Sequence, residues 1–180
     1  VQTVINAVGT VTRLGGSIIP PEVITAMEEA GRHFISLPEL HQKVGERLAQ
    51  LIGVEAATVT SGAAGAITLA TAACITQGDS TRIKQLPDTT GMKNEVIIQK
   101  AHRNNYEAQI RLVGAKIVEV ETKTQLEAAI NSKTAMLFFI NTFASKGQIG
   151  RRDWSMAGKR HGGYTFNDAA ADVPPKERLS

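Results

Sequence analysis

The chain has 180 residues, 42% apolar and 21% charged, which is enough to bury the core of an ordinary globular domain. Its net charge is only +3, and the densest basic spots, GRRDW and GKRHGG, read as solvated helix faces rather than a nucleic-acid stripe. A single cysteine, Cys74, excludes a disulfide within the chain and suits a reducing, cytoplasmic setting, while no run approaches the roughly 18 apolar residues of a membrane span and no basic-then-apolar leader is expected.

In chain order, VQTVINAVGTVTRLGGSIIP carries Gly9, Gly15 and Gly16 without a helical period, which predicts an irregular arm. Pro21 near a first turn, with Val23, Met27 and Ala30 at helical spacing, predicts a helix. A second follows, with Ser36 and Glu39 at the spacing of a capping box and Gly53 placed to end it. Leu37, Leu40, Val44, Leu48 and Leu51 make its single apolar stripe. AATVT predicts a short strand, and SGAAGAITLATAACITQG a helix apolar nearly all round and therefore buried.

NEVIIQ and AKIVEV read as strands flanking a helix in NNYEAQIRLVG that Gly114 stops. KTQLEAAINS predicts a short helix, and TAMLFFI is the continuous apolar run of a parallel strand covered on both faces. RRDWSMAGKRHGG reads as a helix and YTFN as a closing strand. The repetition predicts an α/β fold with a mainly parallel, doubly wound sheet.

In such sheets ligands bind outside the carboxyl ends of the strands, where Ser61 to Gly65, Ala101 to Asn105 and Asn167 to Asp172 converge. TSGAAGA, a strand-to-helix turn without bulky side chains, offers free helix amides to a phosphate, although small residues also serve close helix–sheet packing. His102, after EVIIQ, can stack on an aromatic cofactor, shuttle a proton or simply occupy a loop. Asp168 can cap the following segment, or pair with a protonated ring nitrogen; no His or Cys stands at metal-ligand spacing with it. A phosphate site, a histidine and an aspartate in this chain order imply pyridoxal 5'-phosphate.

The order TSGAAGA, KAHRNN, FNDAAAD resembles the large domain of fold-type I, aspartate aminotransferase-like, pyridoxal-phosphate enzymes. The arm INAVGTVTRLGGSIIPPEV is similar to the N-terminal signature of the selenocysteine synthase-like group (L-seryl-tRNA selenium transferase and relatives), above all its D-glucosaminate-6-phosphate ammonia-lyase branch. The resemblance implies that Ser61, Gly62, Ala63 and Ala64 hold the cofactor phosphate. It implies that His102 lies over the ring, Asp168 pairs with the ring nitrogen, Ala170 packs beneath it and Asn141 reaches its phenolic oxygen. Asn6, Thr10 and Arg13 would face the substrate, with Arg13 the partner of a carboxylate or phosphate. The implied activity is an α,β-elimination of ammonia from an amino sugar acid, in a homo-oligomer without a metal.

Two departures shape the expectation. Gly15, Gly16 and Ser17 stand where the selenium transferases continue with an arginine, and the small net charge weighs against tRNA as a partner. The family's Schiff-base lysine lies on a later strand, whereas here Lys176 alone follows Asp168 and Lys146 comes before it. The resemblance therefore implies an arm and first helix in residues 1–35 and a partial large domain in 36–180. The lysine and a C-terminal small domain would lie beyond, leaving the chain alone inactive. Two rivals remain: a selenium-transferase-like protein, and a non-catalytic module that binds a phosphorylated ligand or pairs with another chain. A nucleotide-binding Rossmann domain is disfavoured because no GxGxxG follows the first strand.

Overall fold

The computed structural model describes residues 1–9 and 12–172. The chain forms two compact units, Val1–Val59 and Thr60–Ser180. Among the described residues no helix is long and apolar enough to cross a membrane.

The first unit holds a 3-10 turn at Thr12–Leu14 and two helices, α1 (Pro21–Ala30) and α2 (Leu37–Ile52). Pro21 opens α1, where its missing N–H costs nothing. The Ser36 hydroxyl accepts from the Glu39 N–H at 3.4 Å, which is one half of the expected capping box, and Gly53 ends α2 in the left-handed region. The expected stripe is buried only in part: Leu37, Leu40 and Leu51 are exposed and Val44 and Leu48 half-buried, beside the buried Gly45 and Ala49. Residues 56–60 form no strand, and the Ala57 carbonyl packs closely on Gly45. Their β-prone composition is overridden because they pair with no strand among the described residues.

The second unit is a sheet of four parallel strands: β1 (Glu95–Gln99), β2 (Lys116–Val120), β3 (Thr134–Ile140) and β4 (Tyr164–Asp168), in the order β2-β1-β3-β4. Around it lie α3 (Ala63–Thr76), α4 (Ser80–Gln85), α5 (Ala108–Leu112), α6 (Lys123–Ala129) and α7 (Arg151–Arg160). Alternate side chains of each strand feed two cores. Val96, Ile98, Met136, Phe138 and Ile140 pack with Ile67 and Ile75 of α3 and Ile110 of α5. Ile97, Leu137 and Phe139 pack with Leu126 of α6 and Trp154 of α7 on the other side. All seven residues of β3 are buried, as expected of a strand covered on both faces.

Two local expectations change. α3 is apolar all round but buries one face, Ile67, Thr71 and Ile75, and leaves Leu69 59% exposed. α4 was not foreseen because it is short and polar; Asp79 caps it, accepting from the Thr81 and Arg82 N–H groups at 2.9 Å. Cys74, packed against the α3 side of the core, has its thiol pushed up to about 11 by burial, so it is an inert packing residue.

Candidate functional site

The chain runs from β1 to β2 on one side, then crosses back to place β3 and β4 on the other side of β1. That reversal opens a crevice at the carboxyl ends of β1 and β3, the place where doubly wound sheets bind ligands. His102 stands just past β1, Asn141 just past β3, and Asp168 ends β4. The register places Ile140 opposite Asp168, and the Ile140 N–H donates to His102 Nδ1 at 3.2 Å. Three strand ends thus form one strip.

The start of α3 belongs to the same end of the sheet. Thr68, in its second turn, donates to Gln109 at the start of α5 at 3.1 Å, while Asp88 to Asn94 return the chain to the amino ends of the strands. Gly62 precedes α3 at φ 121° and ψ 173°, a conformation reserved for glycine, and makes no side-chain cap. Ser61, Gly62 and Ala63 are exposed and Ala64 half-buried. The first-turn amides are therefore presented without a protein partner, with the positive end of a 14-residue helix dipole behind them.

Asp168 is half-buried, and its Oδ1 accepts from the Ala170 N–H at 3.0 Å, so the capping role is real. Ala169 and Ala170 beside it add no bulk. Asn141, half-buried, donates through Nδ2 to the Asp172 carboxylate. Asp172 had no role in the sequence reading; its partner lies 31 residues away in the chain.

His102 is 0% exposed. Its ring meets Phe139 edge-on at 4.6 Å and Phe143 at 6.2 Å. Burial holds its pKa below the ordinary 6.5; a main-chain hydrogen bond with Phe143 opposes this and the Lys146 ammonium adds to it. The native ring resists protonation more than the unfolded one, so His102 contributes most to stability above the ordinary value. That contribution is lost as pH falls from there toward the lower native value. Because the imidazole is fully buried, no face of it is open to a ligand ring in this structure.

The turn after His102 is stapled by Arg103, which pairs with Glu107 and Glu119, while Arg111 meets Glu107 at 2.6 Å. The Arg103 hydrogen bond is the main reason the Glu107 carboxyl sits below the usual carboxylate range. The R-x-x-x-E spacing of Arg103 and Glu107 was readable in the sequence and was overlooked. Asn6 closes its own turn, donating to the Gly9 carbonyl at 2.8 Å and accepting from the Val8 N–H at 3.0 Å. Arg13 is exposed in the first 3-10 turn, and Thr10 lies outside the described residues. The structure thus gathers Ser61 to Ala64, His102, Asn141, Asp168 and Ala170 in one unit, and Asn6 and Arg13 belong to the other. No group of three metal-ligating side chains occurs among the described residues.

The chain is similar to known proteins. The family model of aminotransferase class I and II matches residues 5–170. A D-glucosaminate-6-phosphate ammonia lyase of Salmonella typhimurium (strain 14028s / SGSC 2262) is 38% identical over 95% of this chain and 49% of its own length. A solved structure of D-glucosaminate-6-phosphate ammonia-lyase superposes with a TM-score of 0.90 at 37% identity, over 96% of this chain and 50% of that one. A 5'-C-glycyluridine monooxygenase-decarboxylase of a Streptomyces species is 31% identical over 96% of this chain and 46% of its own. An aspartate aminotransferase from Thermotoga maritima shares the fold alone, with a TM-score of 0.53 and 19% identity over 84% of this chain and 43% of that one. The chain spans about half the length of the curated relatives it matches. It belongs to the aminotransferase class I and II family, with the fold-type I architecture and pyridoxal 5'-phosphate as the family's cofactor.

Proposed function

We propose that the strand-end strip holds pyridoxal 5'-phosphate and that the native protein uses it to eliminate ammonia from an amino sugar acid such as D-glucosaminate 6-phosphate. The observation that carries this is the uncapped start of α3 behind Gly62, at the same sheet end as Asp168. A dianionic phosphate and a flat cationic ring fit those two features.

When bound, the cofactor supplies an electron sink for the α-carbon of an amine substrate. The chain's residues set the conditions. Ser61 to Ala64 anchor the phosphate through main-chain N–H groups and the helix dipole. Asp168 offers its carboxylate to the ring nitrogen and keeps a proton there, while its Oδ1 bond to the Ala170 N–H fixes the carboxylate plane. Ala170 leaves room for the ring face. Asn141, oriented by Asp172, presents its remaining Nδ2 hydrogen to the phenolic oxygen. His102, buried in this structure, would lie over the ring once uncovered. Asn6, Thr10 and Arg13 would face the substrate, with Arg13 the partner of a carboxylate or phosphate.

Net loss of ammonia from the amino sugar acid gives a 2-keto-3-deoxy acid. The similarity to the Salmonella typhimurium lyase supports that substrate class. The likeness to a 5'-C-glycyluridine monooxygenase-decarboxylase favours a second reading, in which an amino acid carrying a nucleoside is taken instead. A homo-oligomer in the cytoplasm belongs to the same proposal; the lone Cys74, free in this structure, is compatible with a reducing compartment.

The native protein, loaded with pyridoxal 5'-phosphate, is offered D-glucosaminate 6-phosphate, 5'-C-glycyluridine and L-seryl-tRNA in parallel. Ammonia and 2-keto acid released in equal amounts from the first alone is the expected result. Turnover of either other substrate, with none of the amino sugar acid, would overturn it.

A further inference from the structure

Gln99, the last residue of β1, is buried, and its carboxamide is tied to one residue of the loop before α7. Its Oε1 accepts from the Ile149 N–H at 2.9 Å and its Nε2 donates to the Ile149 carbonyl at 2.9 Å. Because the Ile149 N–H can only donate and its carbonyl can only accept, the amide has one orientation. Nε2 then lies 3.3 Å from His102 Nε2. Gly147 leaves the space, since a Cβ there would come 2.3 Å from Gln99 Oε1.

The other ring nitrogen of His102 receives the Ile140 N–H. Both nitrogens therefore face locked donors: a neutral imidazole opposes only one of them with its single N–H, whereas an imidazolium, with two N–H groups, opposes both. The remaining groups against the ring are the Phe139 and Phe143 side chains, the Phe143 main chain and the Lys146 ammonium, which sits 3.7 Å over the Phe143 ring. The neighbouring Arg103 is engaged with Glu107 and Glu119.

We propose that Gln99 is a positioning residue that holds His102 as a neutral imidazole and couples it to the loop before α7. The functional consequence rests on the cofactor reading above: a neutral imidazole places no second positive charge beside the protonated ring that Asp168 pairs with.

The test follows the ring nitrogens of the four histidines, His33, His41, His102 and His161, by 15N NMR across pH, on the chain without cofactor. In the unsubstituted chain His102 stays neutral below the ordinary midpoint of 6.5. Gln99→Glu keeps the acceptor for the Ile149 N–H but exchanges the donor at His102 for a carboxylate oxygen. The His102 midpoint then rises by about one pH unit or more. Gln99→Leu removes that donor and frees the Ile149 amide, speeding its hydrogen exchange, and the midpoint rises by less than in Gln99→Glu.

A role in packing alone predicts that the two variants move His102 alike, and that result overturns the proposal. Should Gln99→Glu not fold, the unsubstituted chain still decides, because a His102 that titrates near 6.5 contradicts the proposal with no variant needed. None of these readings uses the cofactor, so they fail or succeed separately from the cofactor site itself.

Discussion

Asp168→Ala should weaken pyridoxal 5'-phosphate binding roughly 10- to 100-fold and leave the fold intact. A hydrogen bond to a charged group contributes about 1.5–3 kcal/mol, and each 1.4 kcal/mol is a factor of ten in affinity. Asp168 is half-buried at the end of β4, and its recorded bond is local, to the Ala170 N–H. Its loss therefore removes one turn contact and no core packing.

The companion variant, Asp168→Asn, separates the two roles. Asparagine keeps an oxygen for the Ala170 N–H but carries no charge for a ring nitrogen. If Asp168 acts on the cofactor, the asparagine variant binds as weakly as the alanine one, measured by titrating the cofactor's absorbance. If Asp168 only caps the segment, asparagine binds like the unsubstituted protein, and the assigned role is wrong.

The second large effect is structural and lies at the opposite end of the sheet. Gly114, in the turn before β2, has φ +85°, and a Cβ built there would stand 1.9 Å from the Pro87 carbonyl oxygen and 2.9 Å from Thr89 Cγ2. Thr89 in turn donates to the Gly114 carbonyl at 3.1 Å and accepts from Asn94 at 2.8 Å, just before β1. A side chain at 114 would force a left-handed alanine and separate these two loops together. Backbone strain costs roughly 1–2 kcal/mol and overpacking roughly 1–3 kcal/mol, so Gly114→Ala should lose on the order of 3 kcal/mol or more. Urea unfolding measures it as a lower midpoint with an unchanged slope. A loss below about 1 kcal/mol would mean that the Pro87–Thr89 loop relaxes freely and does not clamp the sheet.

Much of this was legible in the sequence because it is carried by period and by neighbours. TAMLFFI announced a strand covered on both faces, and Asp168 and His102 were singled out because each stands at a strand end in a fold whose ligands lie there. The Gly62 turn was visible from its run of small residues. What escaped depends on distance in the chain or on competition between packing options. Gln99 reads as an ordinary strand residue until Ile149 comes back beside it, 50 residues later. Asp172 has no meaning without Asn141. The α2 leucines have the right spacing for a buried stripe, yet the small residues Gly45 and Ala49 are what that helix buries. Residues 56–60 have strand composition yet pair with no strand among the described residues, and pairing rather than propensity makes a strand.

A depression of about 440 Å³ lies at the amino ends of the strands, between Lys116, Lys133 and the Pro87 to Met92 loop. It could attract a phosphorylated molecule by charge alone, so the place of binding decides the account. The direct measurement is a backbone amide NMR map of the 180-residue chain titrated with pyridoxal 5'-phosphate. The account predicts saturable shifts at Gly62, Ala63, Ala64 and Gly65 together with Asp168 to Ala170. Shifts confined to Thr89 to Asn94, Lys116 and Lys133, or none at Gly62 to Gly65, would contradict it.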